Sequence, residues 1–254
     1  MTRDERELCR LEGRNPIAEA LEAGRSINKV YALQSARNTR SDTSLARLVA
    51  ECKERGAVIT YVGRTALDAM ATSGAHQGII AEVAPYEYAD LTEILSQNER
   101  RGIDPFLILL DHIQDAHNLG SILRIADGAG VDAVVIPQRR SVALNAAVAK
   151  ASAGAVEHVP LCRVVNLSKT ILDLKKEGFW IYGTAADGET PYDKADYSGK
   201  IALVIGSEGE GISQKLLEHC DFLLTIPLYG KVNSLNAAVA SGIIAFAAAR
   251  QRRQ

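Results

Sequence analysis

Three polar stretches interrupt the apolar second half of the chain: "DHIQDAHNLGSILRIADGAG" from residue 111, "GSEGEGIS" from 206 and "PLYGKVNSLNAAVASG" from 227. Each follows a short apolar run that reads as a strand, so carboxylates, amides and a guanidinium should converge at strand ends. In the first stretch Asn118 can sit at a helix entry. Arg124 lies six residues on, among Ile122, Leu123, Ile125 and Ala126. A guanidinium in that setting either lays its stem over apolar surface or serves a ligand. Glu208 and Glu210 suit a solvated turn before a helix, and Ser234 and Asn236 suit helix caps.

The second stretch poses the sharper question. Gly206-x-x-x-x-Gly211 followed by Ser213 nearly spells a phosphate loop, but Ile212 stands where the lysine belongs. Two glutamates inside such a cradle would repel a phosphate. The loop therefore predicts a ligand without phosphates, or none.

Other chemistries are excluded by pattern. No G-x-G-x-x-G follows an early strand, no G-x-S-x-G nucleophile turn occurs, and no H-E-x-x-H pairs the histidines. Cys9, Cys52, Cys162 and Cys220 are scattered without C-x-x-C spacing, which predicts reduced thiols and no structural metal. The N-terminus is charged and no long apolar run occurs, so the expectation is a cytoplasmic protein with no membrane span. A net charge of −2 argues against indiscriminate polyanion binding, although residues 1–64 carry a mild basic excess.

The elements that must carry these groups fall into two halves. In the first, "GRNPIAEALEAG" predicts a helix capped by Asn15 with Pro16 in its first turn and Gly24 ending it. Strands are expected at "KVYAL", "AVITYV" and "HQGIIAEV", with a helix over residues 43–55 between the first two. That is a small α/β domain over residues 1–84. Residues 85–103, polar with one helical segment, read as a linker. From 104 to 254 the runs "FLILL", "AVVI", "FWIYG", "IALVI" and "FLLTI" alternate with helix candidates, which predicts a parallel sheet covered on both faces. The hexapeptide "LNAAVA" occurs at 144–149 and again at 235–240, each after an Ile-Pro pair, which suggests one local solution used twice.

These motifs, in this order and on these strand ends, resemble the three motifs of the SPOUT methyltransferases, specifically the TrmH-type ribose 2′-O-methyltransferases. "EGRNPIAEAL" and "HQGIIAEV" further resemble the N-terminal RNA-binding module of the branch that methylates a guanosine in 23S ribosomal RNA. The resemblance implies a C-terminal sheet whose chain threads into a deep trefoil knot, a homodimer, and S-adenosylmethionine as cofactor. It assigns Arg124, Asn118, Glu208, Ser234 and Asn236 to catalysis, with Arg124 at the methyl-accepting ribose. There Arg124 is either a base or, as its high pKa favours, a cation steadying the developing oxyanion. Gly206, Ile226 and Leu235, with Thr184 and Ala185 as neighbours, would contact the cofactor. Phosphate contacts in the N-terminal module could come from Arg14, Arg25, Lys29, Arg37 and Arg40. Within this resemblance a transfer-RNA ribose methyltransferase is the alternative, and a non-catalytic RNA-binding assembly factor is the alternative outside it.

Overall fold

The computed structural model describes residues 10–37, 43–71, 75–83, 87–232 and 234–253. Its contacts divide the chain into two units, Met1–Glu87 with Ala143–His158, and Tyr88–Val142 with Val159–Gln254. Residues 143–158, expected in the second domain, therefore group with the first. Among the described residues no helix is long and apolar enough to cross a membrane.

The first unit holds β1 (Arg10–Glu12), α1 (Arg14–Glu22), β2 (Ile27–Leu33), α2 (Thr43–Glu54), β3 (Val58–Val62), α3 (Arg64–Met70) and β4 (Ile79–Val83). Its sheet runs β1-β4-β2-β3, with β2 and β3 parallel and β4 antiparallel to both its neighbours. Leu45, Leu48, Val49 and Cys52 recur at helical spacing along α2 and are buried. Asn15 does not cap α1. Gly13 is the cap residue, and the Arg14 N–H donates instead to Gln77 Oε1 at 3.0 Å, so a side chain distant in sequence satisfies a free helix-end donor. Gly24, at φ +73, ends the helix as expected. The borrowed segment adds a short helix, residues 146–151, which packs on β1.

The second unit is built on seven parallel strands: β5 (Phe106–Leu110), β6 (Ala133–Pro137), β7 (Leu161–Val164), β8 (Trp180–Thr184), β9 (Thr190–Pro191), β10 (Ile201–Ile205) and β11 (Phe222–Thr225). Their order is β7-β6-β5-β10-β8-β11-β9. Every residue of β5 and β10 is buried, as strands covered on both faces require. The five expected strands are present, and β7 and β9 join them.

The expected linker is part of this unit. Asp90 caps a helix over Leu91–Arg101, and Gly102 ends it at φ +65. Leu91, Ile94 and Leu95 pack on the sheet core, while buried Asn98 donates to Asp132 at 3.0 Å. An amphipathic stripe with both caps makes this a structural helix.

Two further helices position the site. α5 (Ala116–Ala129) follows β5, and α9 (Ala237–Arg252) closes the chain. We number the helix at 91–101 α4, those at 146–151 and Leu167–Lys176 α6 and α7, and the short one at Gln214–Leu217 α8. α5 and α9 lie side by side with their N-termini at the same end, since Asn236 meets Asn118 there and Gly242 lies against Ile125 further along.

Candidate active site

The strand order reverses between β5 and β10, and the loops leaving their C-terminal ends flank the crevice that such a reversal opens. Asp111 follows β5 directly, and Gly206 follows β10. The two loops are tied together there. Buried Asp111 accepts the Ser213 N–H at 2.8 Å, and Ser207 and Gly211 exchange a pair of backbone hydrogen bonds at 3.1 and 2.9 Å.

Three of the five expected catalytic residues meet in this crevice. Asn118 Nδ2 donates to Glu208 Oε1 at 2.9 Å, Asn236 Nδ2 donates to Asn118 Oδ1 at 2.9 Å, and Asn236 Nδ2 also donates to Glu208 Oε1. The three side chains, one from each polar stretch, close a triangle in which both hydrogens of one amide are used. Hydrogen bonds to an ionised carboxylate are the stronger kind, so the triangle fixes three chain segments against one another. Asn236 also caps α9, its Oδ1 accepting from Ala238 and Val239 N–H at 3.0 and 3.2 Å.

The remaining assignments divide. Asn118 does not cap α5: Asp115 does, accepting from His117 and Asn118 N–H at 2.6 and 3.0 Å, which leaves the Asn118 amide free to reach across. Ser234 does not cap α9 either; it is exposed and lines an apolar cavity. Arg124 sits on the exposed face of α5 and makes no hydrogen bond or ion pair to any described residue. No bond brings it to the triangle.

That apolar cavity, of about 130 Å³, opens at the ends of β8 and β11 and is lined by Thr184, Ala185, Ile226, Ser234 and Leu235, with Ile244 of α9. Four of the five expected cofactor contacts are therefore in one place. Gly206 is not among the lining residues. A Cβ there would lie 2.0 Å from the Gly211 carbonyl carbon and 2.3 Å from Ile212 N, so the glycine is required by the loop's own backbone. The cavity lining carries hydroxyl and aliphatic groups and no charge, which suits the uncharged heterocycle and sugar of an adenosyl group better than a phosphate.

A second cavity, of about 320 Å³, is lined by two members of the triangle, Asn118 and Glu208, and takes in Glu210, Asp115 and His112 as well. Here the structure adds residues that sequence reasoning missed. Asp111 Oδ1 holds His112 Nδ1 at 2.8 Å, and His112 Nε2 faces Arg140 Nη1 at 3.4 Å. The signal was the Asp-His pair directly after a strand.

In the first unit the expected RNA contacts are scattered. Arg25 is committed to Glu157 at 2.6 Å, with both side chains largely buried. Lys29 lies 4.7 Å from the Tyr31 ring and Arg37 5.0 Å from that of Tyr61. Arg14 lines a cavity of about 660 Å³ together with Asn15, Arg64, His76 and Gln77. Arg40 lies outside the described residues.

Comparison with known proteins defines the class. Residues 105–246 match the SpoU rRNA Methylase family, and residues 10–89 match the RNA 2′-O ribose methyltransferase substrate binding domain. The chain is 44% identical over 240 residues to a Bacillus subtilis (strain 168) protein named for the TrmH family of tRNA/rRNA methyltransferases, covering 94% of each. Among solved structures, the SpoU methyltransferase AviRb of Streptomyces viridochromogenes, in complex with AdoMet, shares the fold. Its TM-score is 0.80 at 23% identity, with 96% of this chain and 90% of that one covered. An rRNA methyltransferase from Sinorhizobium meliloti gives a TM-score of 0.77 at 25% identity over 98% of this chain and 89% of that one. The chain belongs to the SpoU family of RNA 2′-O-ribose methyltransferases, in its TrmH-type branch.

Proposed function

We propose that this chain methylates the ribose 2′-hydroxyl of a guanosine in 23S ribosomal RNA with S-adenosylmethionine, as a cytoplasmic homodimer. The observation that carries the reading is the Asn118–Glu208–Asn236 triangle at the sheet's reversal point: Asn118 and Glu208 line the polar cavity, and Asn236 directly follows Ser234 and Leu235 of the uncharged one. Ser234 and Leu235 line the uncharged cavity, and Asn236, one residue on, hydrogen-bonds Asn118 and Glu208 of the polar one. The residues that would hold the methyl donor and those that would face its acceptor are thus tied together by one hydrogen-bonded element.

The residues suit the cofactor. Thr184, Ala185, Ile226 and Leu235 would hold it, with Ser234 at the mouth; when bound it supplies an electrophilic methyl group on a sulfonium. The chain's own work is positioning. Asn118, Glu208 and Asn236 fix the loops that carry the acceptor, and much of the rate in such a transfer comes from holding reacting atoms about 3–3.5 Å apart. Arg124, exposed and uncommitted to any described residue, is suited to meet the RNA backbone as a fixed cation and to steady the developing oxyanion.

Two features support the partners. In the first unit Arg14 and Arg64, with Asn15 and Gln77, border a cavity suited to phosphate and base edges, which moves the RNA contacts away from paired Arg25. On α9, Val239 and Phe246 are half-exposed and Tyr229 before it is fully exposed, an apolar surface of the kind a second copy covers. The threaded C-terminal topology belongs to the same reading.

Transfer of labelled methyl from the cofactor to purified 23S ribosomal RNA, with bulk transfer RNA as the second substrate, tests the proposal. Label in a guanosine ribose of the 23S RNA is expected. Label confined to transfer RNA, or to a base, overturns it.

A further inference from the structure

Arg140 has a setting that neither the motifs nor the triangle explains. It lies beyond β6 with its backbone at φ +61, and His112, beyond β5, stands at φ +59. Both are non-glycine residues in the left-handed region, where a side chain costs energy that the surroundings must offset; such residues cluster at functional sites. They meet there: the Arg140 guanidinium faces His112 Nε2 at 3.4 Å. A guanidinium only donates, so Nε2 carries a lone pair and the ring proton sits on Nδ1, against buried Asp111 at 2.8 Å. The other Asp111 oxygen is held by the Ser213 N–H at 2.8 Å, and the Val142 N–H donates to Ile113 O at 3.0 Å, which pins the Arg140 segment to the β5 loop. A guanidinium is thus held by a histidine, the histidine by a carboxylate, and the carboxylate by the backbone of the Glu208 loop.

The cavity that His112 lines is otherwise electrostatically wrong for RNA. Asp115, Glu208 and Glu210 also line it, and among the described residues no lysine or arginine does. A nucleotide entering it brings a phosphodiester next to three carboxylates, which repel it unless a cation intervenes. Arg140 is the cation braced at this rim, with its planar fork pre-set for two phosphate oxygens.

We propose that Arg140 binds a phosphodiester of the target nucleotide or its immediate neighbour, and that His112 and Asp111 act through it as positioning residues. The inference rests on the function proposed above, because it takes RNA as the ligand of this cavity. It adds an anchoring subsite to a pocket whose known members are carboxylates and amides.

The test measures binding and turnover separately on the full-length protein. Filter binding of purified 23S ribosomal RNA, with bulk transfer RNA in parallel, is followed from 0.05 to 0.3 M salt for wild type, Arg140→Ala, His112→Asn and, as control, exposed Arg101→Ala of α4. Asparagine tolerates the left-handed backbone at position 112 and removes the imidazole. Arg140→Ala should raise Kd and KM for RNA about tenfold, lower kcat less than threefold, and flatten the log Kd against log salt slope by about 0.7 to 0.9, one phosphate contact. His112→Asn should give a smaller rise in KM with kcat unchanged, and cofactor affinity by calorimetry should match wild type in both variants. Unchanged RNA affinity and salt slope in Arg140→Ala overturn the inference, as does a loss confined to kcat. Nitrogen NMR of wild-type imidazoles, with the His112 signal identified by its absence in His112→Asn, must show an unprotonated Nε2; a protonated Nε2 overturns the role of His112. Wild-type protein that binds and methylates neither RNA refutes the function itself, whereas normal wild-type activity with an indifferent Arg140→Ala refutes only this subsite.

Discussion

Replacing Gly206 by alanine separates two accounts of the loop after β10. If the glycine opened space for a cofactor, an added methyl would lower cofactor affinity and leave folding intact. The structure places the new Cβ 2.0 Å from Gly211 C, 2.2 Å from Gly211 O and 2.3 Å from Ile212 N. These are backbone atoms, and reaching even 3.0 Å demands a shift of about 1 Å, which the paired Ser207–Gly211 hydrogen bonds and the Ser213–Asp111 bond do not survive. Two neutral hydrogen bonds at about 0.5–1.5 kcal/mol each and one to a carboxylate at about 1.5–3 kcal/mol give a loss of about 2.5–6 kcal/mol. For a domain of this size each kcal/mol moves the melting temperature by about 2–4 °C, so the variant should melt at least about 5 °C lower without any ligand. Thermal unfolding of the ligand-free protein, with calorimetric cofactor binding at a temperature where both proteins are folded, reads the two effects apart. A Gly206→Ala protein that melts within about 2 °C of wild type would refute the reasoning.

Asn236→Asp keeps the cap on α9 but opposes a second carboxylate to Glu208, so methyl transfer should fall about a hundredfold with little change in melting. Asn236→Ala should lose activity and also about 1 kcal/mol of stability, measured by urea unfolding, since it removes the cap as well. Arg124→Ala should reduce single-turnover methylation at least a hundredfold while calorimetric cofactor affinity stays within twofold; a variant retaining a tenth of the rate would remove Arg124 from the site. Burial pushes the Cys52 thiol up to about 11 and the Cys162 and Cys220 thiols up to about 12, so all three should resist alkylation at pH 8 until the protein is unfolded, as read by mass spectrometry. Their raised values also set a sign. Above about pH 9 the unfolded chain loses thiol protons that the native protein keeps, so urea midpoints should fall as pH rises from 9 towards 11 and 12.

What could be read in the sequence was whatever period and local chemistry determine. Five strands of the second unit stood out as apolar runs, and the central ones, β5 and β10, are buried along their whole length because parallel strands covered on both faces are apolar throughout. The "LNAAVA" echo proved to be one capping solution used twice: Asn145 caps α6, accepting from Val148 N–H at 3.0 Å, and Asn236 caps α9. β7 was missed because Arg163 breaks a run of only four residues; the helix at 91–101 was read, but its place in the second unit's core was not, because its polar face hid a narrow apolar stripe. The roles of Gly206, Arg25 and the α1 cap were out of reach for another reason. Each depends on a partner fixed by tertiary folding: a backbone crossing five residues on, a glutamate 132 residues away, and a glutamine 63 away. In the candidate active site, residue identities at three strand ends were legible, but which of them touch was not, and the brace from Asp111 to Arg140 became visible only once both loops were in place.

The helix at residues 146–151 has a practical corollary for anyone dividing this protein. Because the N-terminal unit takes one of its pieces from the middle of the other, no single cut in the gene releases the N-terminal unit whole. An excised product ending near residue 87 would keep β4 beside β1 but lose the helix that packs on β1. The matching C-terminal product would carry an amphipathic stub bereft of its seat. Fragments made this way should be judged by co-expression of the two halves, since the C-terminal one carries a segment that completes the N-terminal one.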